Sequence, residues 1–165
     1  MVVGNTEEAK SLAKEWMNDV GVFQKEIDPS PANLSFLLQG AGPTKIPFLV
    51  TQSSELKAKS IAVIVNVNIT ESSYKSLSDM SDKAREEFLW NLKKELMFAP
   101  ANFAFADDEK TGIIRRAQFS KAIYFEELSE GRLAEAVDYT TRSALWLIWT
   151  FRRKFGVPTE AKLNE

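Results

Sequence analysis

The stretch Ser60-Ile61-Ala62-Val63-Ile64-Val65-Asn66-Val67-Asn68-Ile69 decides the fold. Ile61, Val63, Val65, Val67 and Ile69 recur at every second position, the period of a pleated strand. Ala62, Ile64, Asn66 and Asn68 share the opposite side. One wholly apolar face and one mixed face describe an interior antiparallel strand, with helices on one side and a partly wet surface on the other. A slip of one residue would turn all five branched side chains to water, so the register of this strand is strongly specified.

Working upstream, Leu34, Phe36 and Leu38 alternate toward one face, and Gly40-Ala41-Gly42-Pro43 makes a turn. Residues 45–52 form a further strand containing Pro47, which lacks an N–H and belongs at a bulge or a strand start. Asp28-Pro29-Ser30-Pro31 forces an irregular link. Before it, Asn5 and Glu8 form a reciprocal helix cap. Ala9, Leu12, Ala13, Trp16, Met17 and Val20 then follow at helical spacing, and Gly21 supplies a left-handed stop.

Downstream, residues 70–80 open a short helical turn. Ser81 or Asp82 caps a second main helix, which runs to about Phe98 and stops before Pro100. Phe103 and Phe105 mark a fourth strand, residues 107–112 a polar hairpin loop, and residues 112–125 a long fifth strand. Ser129 caps a third helix, with Leu128 stapled onto Leu133, and Gly156 and Pro158 end it after Phe155. The expectation is one α+β domain over residues 1–156, of order α-βββ-α-ββ-α. It has a five-stranded antiparallel sheet and three main helices, with a flexible C-terminal tail over 157–165.

Composition narrows the chemistry. The 165 residues are 44% hydrophobic and 27% charged, as in an ordinary soluble globular domain. The chain has no His and no Cys, which removes the usual ligands of a zinc site, the base of a catalytic triad and a thiol nucleophile. No metal, no cofactor and no catalytic residue are expected. Asp107-Asp108-Glu109 offers oxygen ligands but lacks the spacing of a calcium loop, and acidic residues suit a solvated turn. Arg115 and Arg116 lie on a strand and point to opposite faces, so they do not clamp one phosphate. Arg152-Arg153-Lys154 complements the carbonyl end of a helix. Lys and Arg number 21 against 23 Asp and Glu, no surplus for gripping a nucleic acid. The apolar run 144–149 is far short of the roughly 20 residues that span a bilayer. The first residues carry neither the basic region nor the apolar core of a signal peptide. The expectation is a cytoplasmic protein with no nucleic-acid or membrane partner.

Two surfaces invite a protein partner. On the second main helix the apolar face is Phe88, Leu89, Leu92 and Leu96. Trp90 and Met97, seven residues apart, fall nearly opposite it and stack on one side. Trp and Met are enriched at interface cores, so this stripe is a candidate dimer surface. The plain alternative is that a loop covers the stripe or that Trp90 lies flat on the surface. On the third helix the inward stripe is Leu133, Val137, Thr141, Ala144, Ile148, Phe151 and Phe155. Tyr139 and Trp146 fall on the other side with Arg142 and Arg153, a candidate partner surface of residue types favoured at hot spots. An Arg142–Trp146 cation–π contact within the helix explains the same residues without a partner.

The order of elements, the Ile61–Ile69 strand, the Phe88–Leu96 helix and Ile123-Tyr124-Phe125 leading into Leu128-Ser129 resemble an archaeal family of uncharacterised proteins with the type III secretion chaperone-like fold. The resemblance spans residues 7–155. It implies a non-enzymatic, often dimeric protein that binds extended segments of protein partners, with the dimer contact on the helix carrying Trp90 and Met97. The leading expectation is therefore a protein-binding or chaperone-like module acting as a homodimer. One alternative is a small-molecule or lipid binder with a pocket between the sheet and the third helix. A second is a metal-independent enzyme using carboxylate, Lys, Arg or Tyr.

Overall fold

The computed structural model describes residues 3–29, 33–53, 59–156 and 160–161. Helix α1 (Thr6–Asp19) is followed by strands β1 (Phe23–Ile27), β2 (Leu34–Ala41), β3 (Pro47–Ser53) and β4 (Ser60–Asn68). Helices α2 (Glu71–Asp79) and α3 (Asp82–Leu96) come next, then β5 (Asn102–Asp107), β6 (Ile114–Tyr124), α4 (Glu130–Phe155) and the two-residue β7 (Glu160–Ala161). The strands lie in the order β1-β2-β3-β4-β6-β5, every neighbouring pair antiparallel.

The fold is α+β, with β4 inside the sheet between β3 and β6. Ile61, Val63, Val65 and Val67 are buried toward the helices, and Pro47 stands at the start of its strand. Two elements correct the sequence expectation. Among the described residues the sheet has six main strands rather than five, because Phe23–Ile27 forms β1. Its middle three residues are exposed, among the described strands it pairs only with β2, and a register shift between Phe23 and Lys25 breaks the two-residue period. A polar, bulged edge strand leaves no alternation to read. Four helices rather than three lie among the described residues, because the expected short turn over 70–80 is the nine-residue α2. Its Ser-rich sequence has weak helix propensity. The Thr70 hydroxyl accepts from the Ser73 N–H at 3.3 Å. Arg115 holds α2 from outside, bonding Glu71 at 2.7 Å and lying 3.3 Å from the Tyr74 ring centre. Within the segment expected as a tail, Glu160–Ala161 pairs with the end of β4; residues 157–159 and 162–165 lie outside the described residues.

The core lies between the sheet and helices α1 and α4. Helix α4 runs across β4 and β6, and α1 sits beside it against β1 and β2. Phe36, Phe48, Phe119, Phe151, Met17 and Leu147 are fully buried there. Gly40 is required beneath α1. A Cβ at that position would stand 2.7 Å from both Met17 Cε and Phe48 Cζ and 2.9 Å from the Val22 carbonyl oxygen. Phe88 of α3 meets Phe151 and Phe155 of α4 edge-on at centroid distances of 5.7 and 5.5 Å, which ties α3 to the same side of the sheet.

Candidate protein-interaction surfaces

Helix α3 starts from Ser81, whose hydroxyl accepts from the Ala84 N–H at 3.3 Å. It buries only Leu92 and Leu96 fully, while Phe88 and Leu89 pack half-buried against the core. The outer side of the helix therefore carries its own apolar groups into solvent. Trp90 is 67% exposed and Met97 73%, and Phe98, in the turn just past the helix, is 84% exposed. Phe98 escaped the sequence reading, although its place beside Met97 before the Pro100 stop was a usable signal. Around Trp90 the helix shows exposed Glu86 and Glu87 on its N-terminal side and exposed Lys93 and Lys94 on its C-terminal side.

Helix α4 buries the expected stripe, Thr141 included and with Val137 and Phe155 half-buried, and buries a further flank beside it. Its buried residues include Ala136, Thr140, Ser143 and Leu147 beside Leu133, Ala144, Ile148 and Phe151, so the inward arc is widened toward Ser143 and Leu147. Thr140 and Ser143 are tolerated there because each hydroxyl donates to a carbonyl one turn back, Ala136 at 2.8 Å and Tyr139 at 2.9 Å. Trp146 is half-buried on a flank against the core, and Trp149 is 60% exposed. Arg142 and Arg153 remain exposed. Arg142 Nε bonds Asp138 one turn away at 2.9 Å, which occupies it within the helix. Tyr139 is half-buried, and its hydroxyl donates to Glu135 at 3.0 Å. Tyr139 and Trp146 thus stand half-buried on the flank of α4, and exposed Trp149 lies along the helix between exposed Arg142 and Arg153.

A third surface lies between the end of β6 and the first half of α4. An opening of about 500 Å³ is bounded there by Lys121, Ile123, Glu127, Arg132, Glu135 and Tyr139, among others. It occupies the place where a small-molecule pocket between sheet and last helix was one alternative, but its walls carry four charged side chains. Glu135 is held below the usual carboxylate range, first by the Arg132 guanidinium at 2.9 Å and then by the Tyr139 hydroxyl. The same contact with Glu135 raises the Tyr139 phenol. Lys121 Nζ donates to the Pro100 carbonyl at 3.3 Å and lies 5.8 Å from the Tyr139 ring centre.

Among the described residues, no group of three acidic side chains is placed to hold a metal ion, and no helix is long and apolar enough to cross a membrane. Asp108 of the acidic loop instead accepts from the Lys110 and Thr111 N–H groups at 2.9 and 3.2 Å and faces Arg115 at 3.5 Å. Arg115 is thereby committed to the loop and to α2.

Residues 9–151 match the sequence profile of DUF2299, described as an uncharacterized conserved protein. The chain belongs to that family. A crystal structure of an uncharacterized protein from Methanothermobacter thermautotrophicus superposes with a TM-score of 0.80 at 19% identity, covering 90% of this chain and 99% of that one. A chain of the ExsC-ExsE complex superposes with a TM-score of 0.52 at 12% identity, covering 86% of this chain and 92% of that one. The HopA1-SchA chaperone-effector complex gives 0.47 at 12%, with 92% and 98% covered. No curated protein matches the sequence. At these identities the first two likenesses concern the fold. Of the expected resemblance, membership in an uncharacterized family stands, and an archaeal protein is among the structures of similar fold.

Proposed function

We propose that this protein is a non-enzymatic, cytoplasmic protein-binding module of chaperone-like type that works as a homodimer through the outer side of α3. The observation that carries the proposal is the solvent exposure of Trp90, Met97 and Phe98 together on one helix and its end. Large apolar side chains grouped in solvent mark interaction sites in soluble proteins. The likeness in fold to a chain of the ExsC-ExsE complex, itself an assembly of two proteins, is consistent with a binding role.

The charges around Trp90 favour a second copy as the occupant of α3. In a two-fold contact each residue is used twice, and the arrangement that suits the charges crosses two α3 helices antiparallel at Trp90. Glu86 and Glu87 of one copy then lie toward Lys93 and Lys94 of the other, so the helix complements itself. Tyr139, Arg142, Trp146 and Arg153, with Trp149 between the two arginines, form the second surface, available to a different protein.

Affinity purification of the tagged chain from its native organism, followed by mass spectrometry, tests the binding role. The expected result is one partner recovered in near-stoichiometric amount and displaced by excess untagged protein. Recovery of this chain alone would contradict it.

A further inference from the structure

The opening between the end of β6 and the first half of α4, about 500 Å³, falls within the roughly 300–1,000 Å³ typical of small-molecule sites. Regular elements build its two sides. Lys121 and Ile123 stand two apart on β6 and share the face turned to α4. Arg132, Glu135, Ala136 and Tyr139 recur at helical spacing on α4 and share the side turned to β6. Ile123 and Ala136 are buried and supply an apolar part of the lining. Glu127 lines the opening from the turn that follows β6 and is exposed.

These charges do not all answer one another. Both carboxylate oxygens of Glu135 are taken, Oε2 by Arg132 at 2.9 Å and Oε1 by the Tyr139 hydroxyl at 3.0 Å. Lys121 is half-buried, and its ammonium has three N–H donors. One donates to the Pro100 carbonyl at 3.3 Å. Among the described residues neither Lys121 nor Glu127 forms an ion pair. The lining thus holds one cation and one anion without a counterion. Its charges balance, Lys121 and Arg132 against Glu127 and Glu135. An ion of one sign is drawn to one of the unanswered pair and repelled by the other. A ligand carrying both charges is drawn to both, in a recess where exclusion of solvent strengthens each attraction.

We propose that this opening binds a small zwitterion with an apolar body, the chemistry of a free apolar amino acid or a dipeptide. Its carboxylate pairs with Lys121, its ammonium with Glu127, and its apolar side chain lies against Ile123 and Ala136. The site is built from β6 and α4 and does not depend on the role assigned to α3.

The experiment follows the backbone amide resonances of Ile123 and Ala136 in the isotope-labelled full chain. Four probes are titrated: L-leucine, L-alanyl-L-leucine, N-acetyl-L-leucine, which lacks the ammonium, and L-leucinamide, which lacks the carboxylate. Leucine or the dipeptide is expected to shift both resonances to saturation, and the tighter of the two names the source. Each of the two singly charged probes is expected to bind about tenfold or more weakly than leucine. Lys121→Met is expected to weaken the zwitterion by about tenfold or more and to leave leucinamide unchanged. Glu127→Gln is expected to weaken the zwitterion and to leave N-acetyl-leucine unchanged. Glu127 is exposed, so this second variant decides the matter if Lys121→Met fails to fold. No saturable shift with leucine or the dipeptide up to about 10 mM would overturn the site. Either singly charged probe binding as tightly as leucine, or zwitterion binding that ignores both variants, would overturn the assignment of the two charges and the proposal with it.

Discussion

Single residues set the shape of two regions. Gly40 sits where the side chains of Met17 and Phe48 and the backbone of Val22 converge. Part of that crowding is backbone, which moves less readily than a side-chain end, so Gly40→Ala is expected to destabilise by about 1–3 kcal/mol, as overpacked cores do. Denaturant unfolding checks this; an unchanged midpoint would show that α1 simply lifts away. Asp108 governs the loop between β5 and β6. The Lys110 N–H, then the Thr111 N–H and Arg115, hold its carboxyl below the usual carboxylate range. In the unfolded chain the group titrates near its ordinary value, about 4. Its contribution is thus complete above that pH and is lost as pH falls through the depressed folded value. Asp108→Ala should melt at a lower temperature than wild type near neutral pH, with the two melting curves converging as the pH drops below about 4. A gap between the two melting temperatures that stays constant down to acid pH would contradict the assignment.

At the scale of elements, packing fixes what periodicity alone leaves open. Phe151 is fully buried and meets Phe88 of α3 and Phe155 of its own helix. Phe151→Ala is expected to cost about 3–5 kcal/mol and to loosen α3 along with α4, seen as faster amide exchange in α3 than in β4. Equal protection in α3 before and after the change would mean that α3 is held by other contacts. The strands of the core were legible because Ile61, Val63, Val65 and Val67 alternate without a break, and the helix starts because Asn5, Ser81 and Ser129 are good caps. Strand β1 was hidden because a bulge and three exposed polar residues erase its period. Helix α2 was under-read because its hold is tertiary: Leu77 is fully buried in the core, and Arg115 reaches Glu71 from 44 residues away in sequence. The exposed stripe of Trp90 and Met97 was legible because α3 touches the core along a narrow face. The buried arc of α4 is wider than its periodicity shows, because buried Thr140 and Ser143 look polar in sequence yet satisfy their hydroxyls within the helix.

For the whole molecule, the proposed dimer and the second proposed surface use different helices, α3 for one and α4 for the other, so one copy can serve both. The dimer is the claim on which the functional proposal turns. Burial of a large apolar side chain contributes about 1.5–3 kcal/mol, and a two-fold contact counts Trp90 and Met97 once from each copy, less the cost of association. The decisive measurement is sedimentation equilibrium of the wild-type chain and of the double variant Trp90→Glu with Met97→Lys, across low to high micromolar concentration. The expected result is twice the chain mass for wild type at the upper end and a monomer for the double variant, with the far-UV circular dichroism of the two unchanged. A wild type that stays monomeric at high micromolar concentration, or a double variant that stays dimeric, would contradict the claim that α3 is the dimer surface.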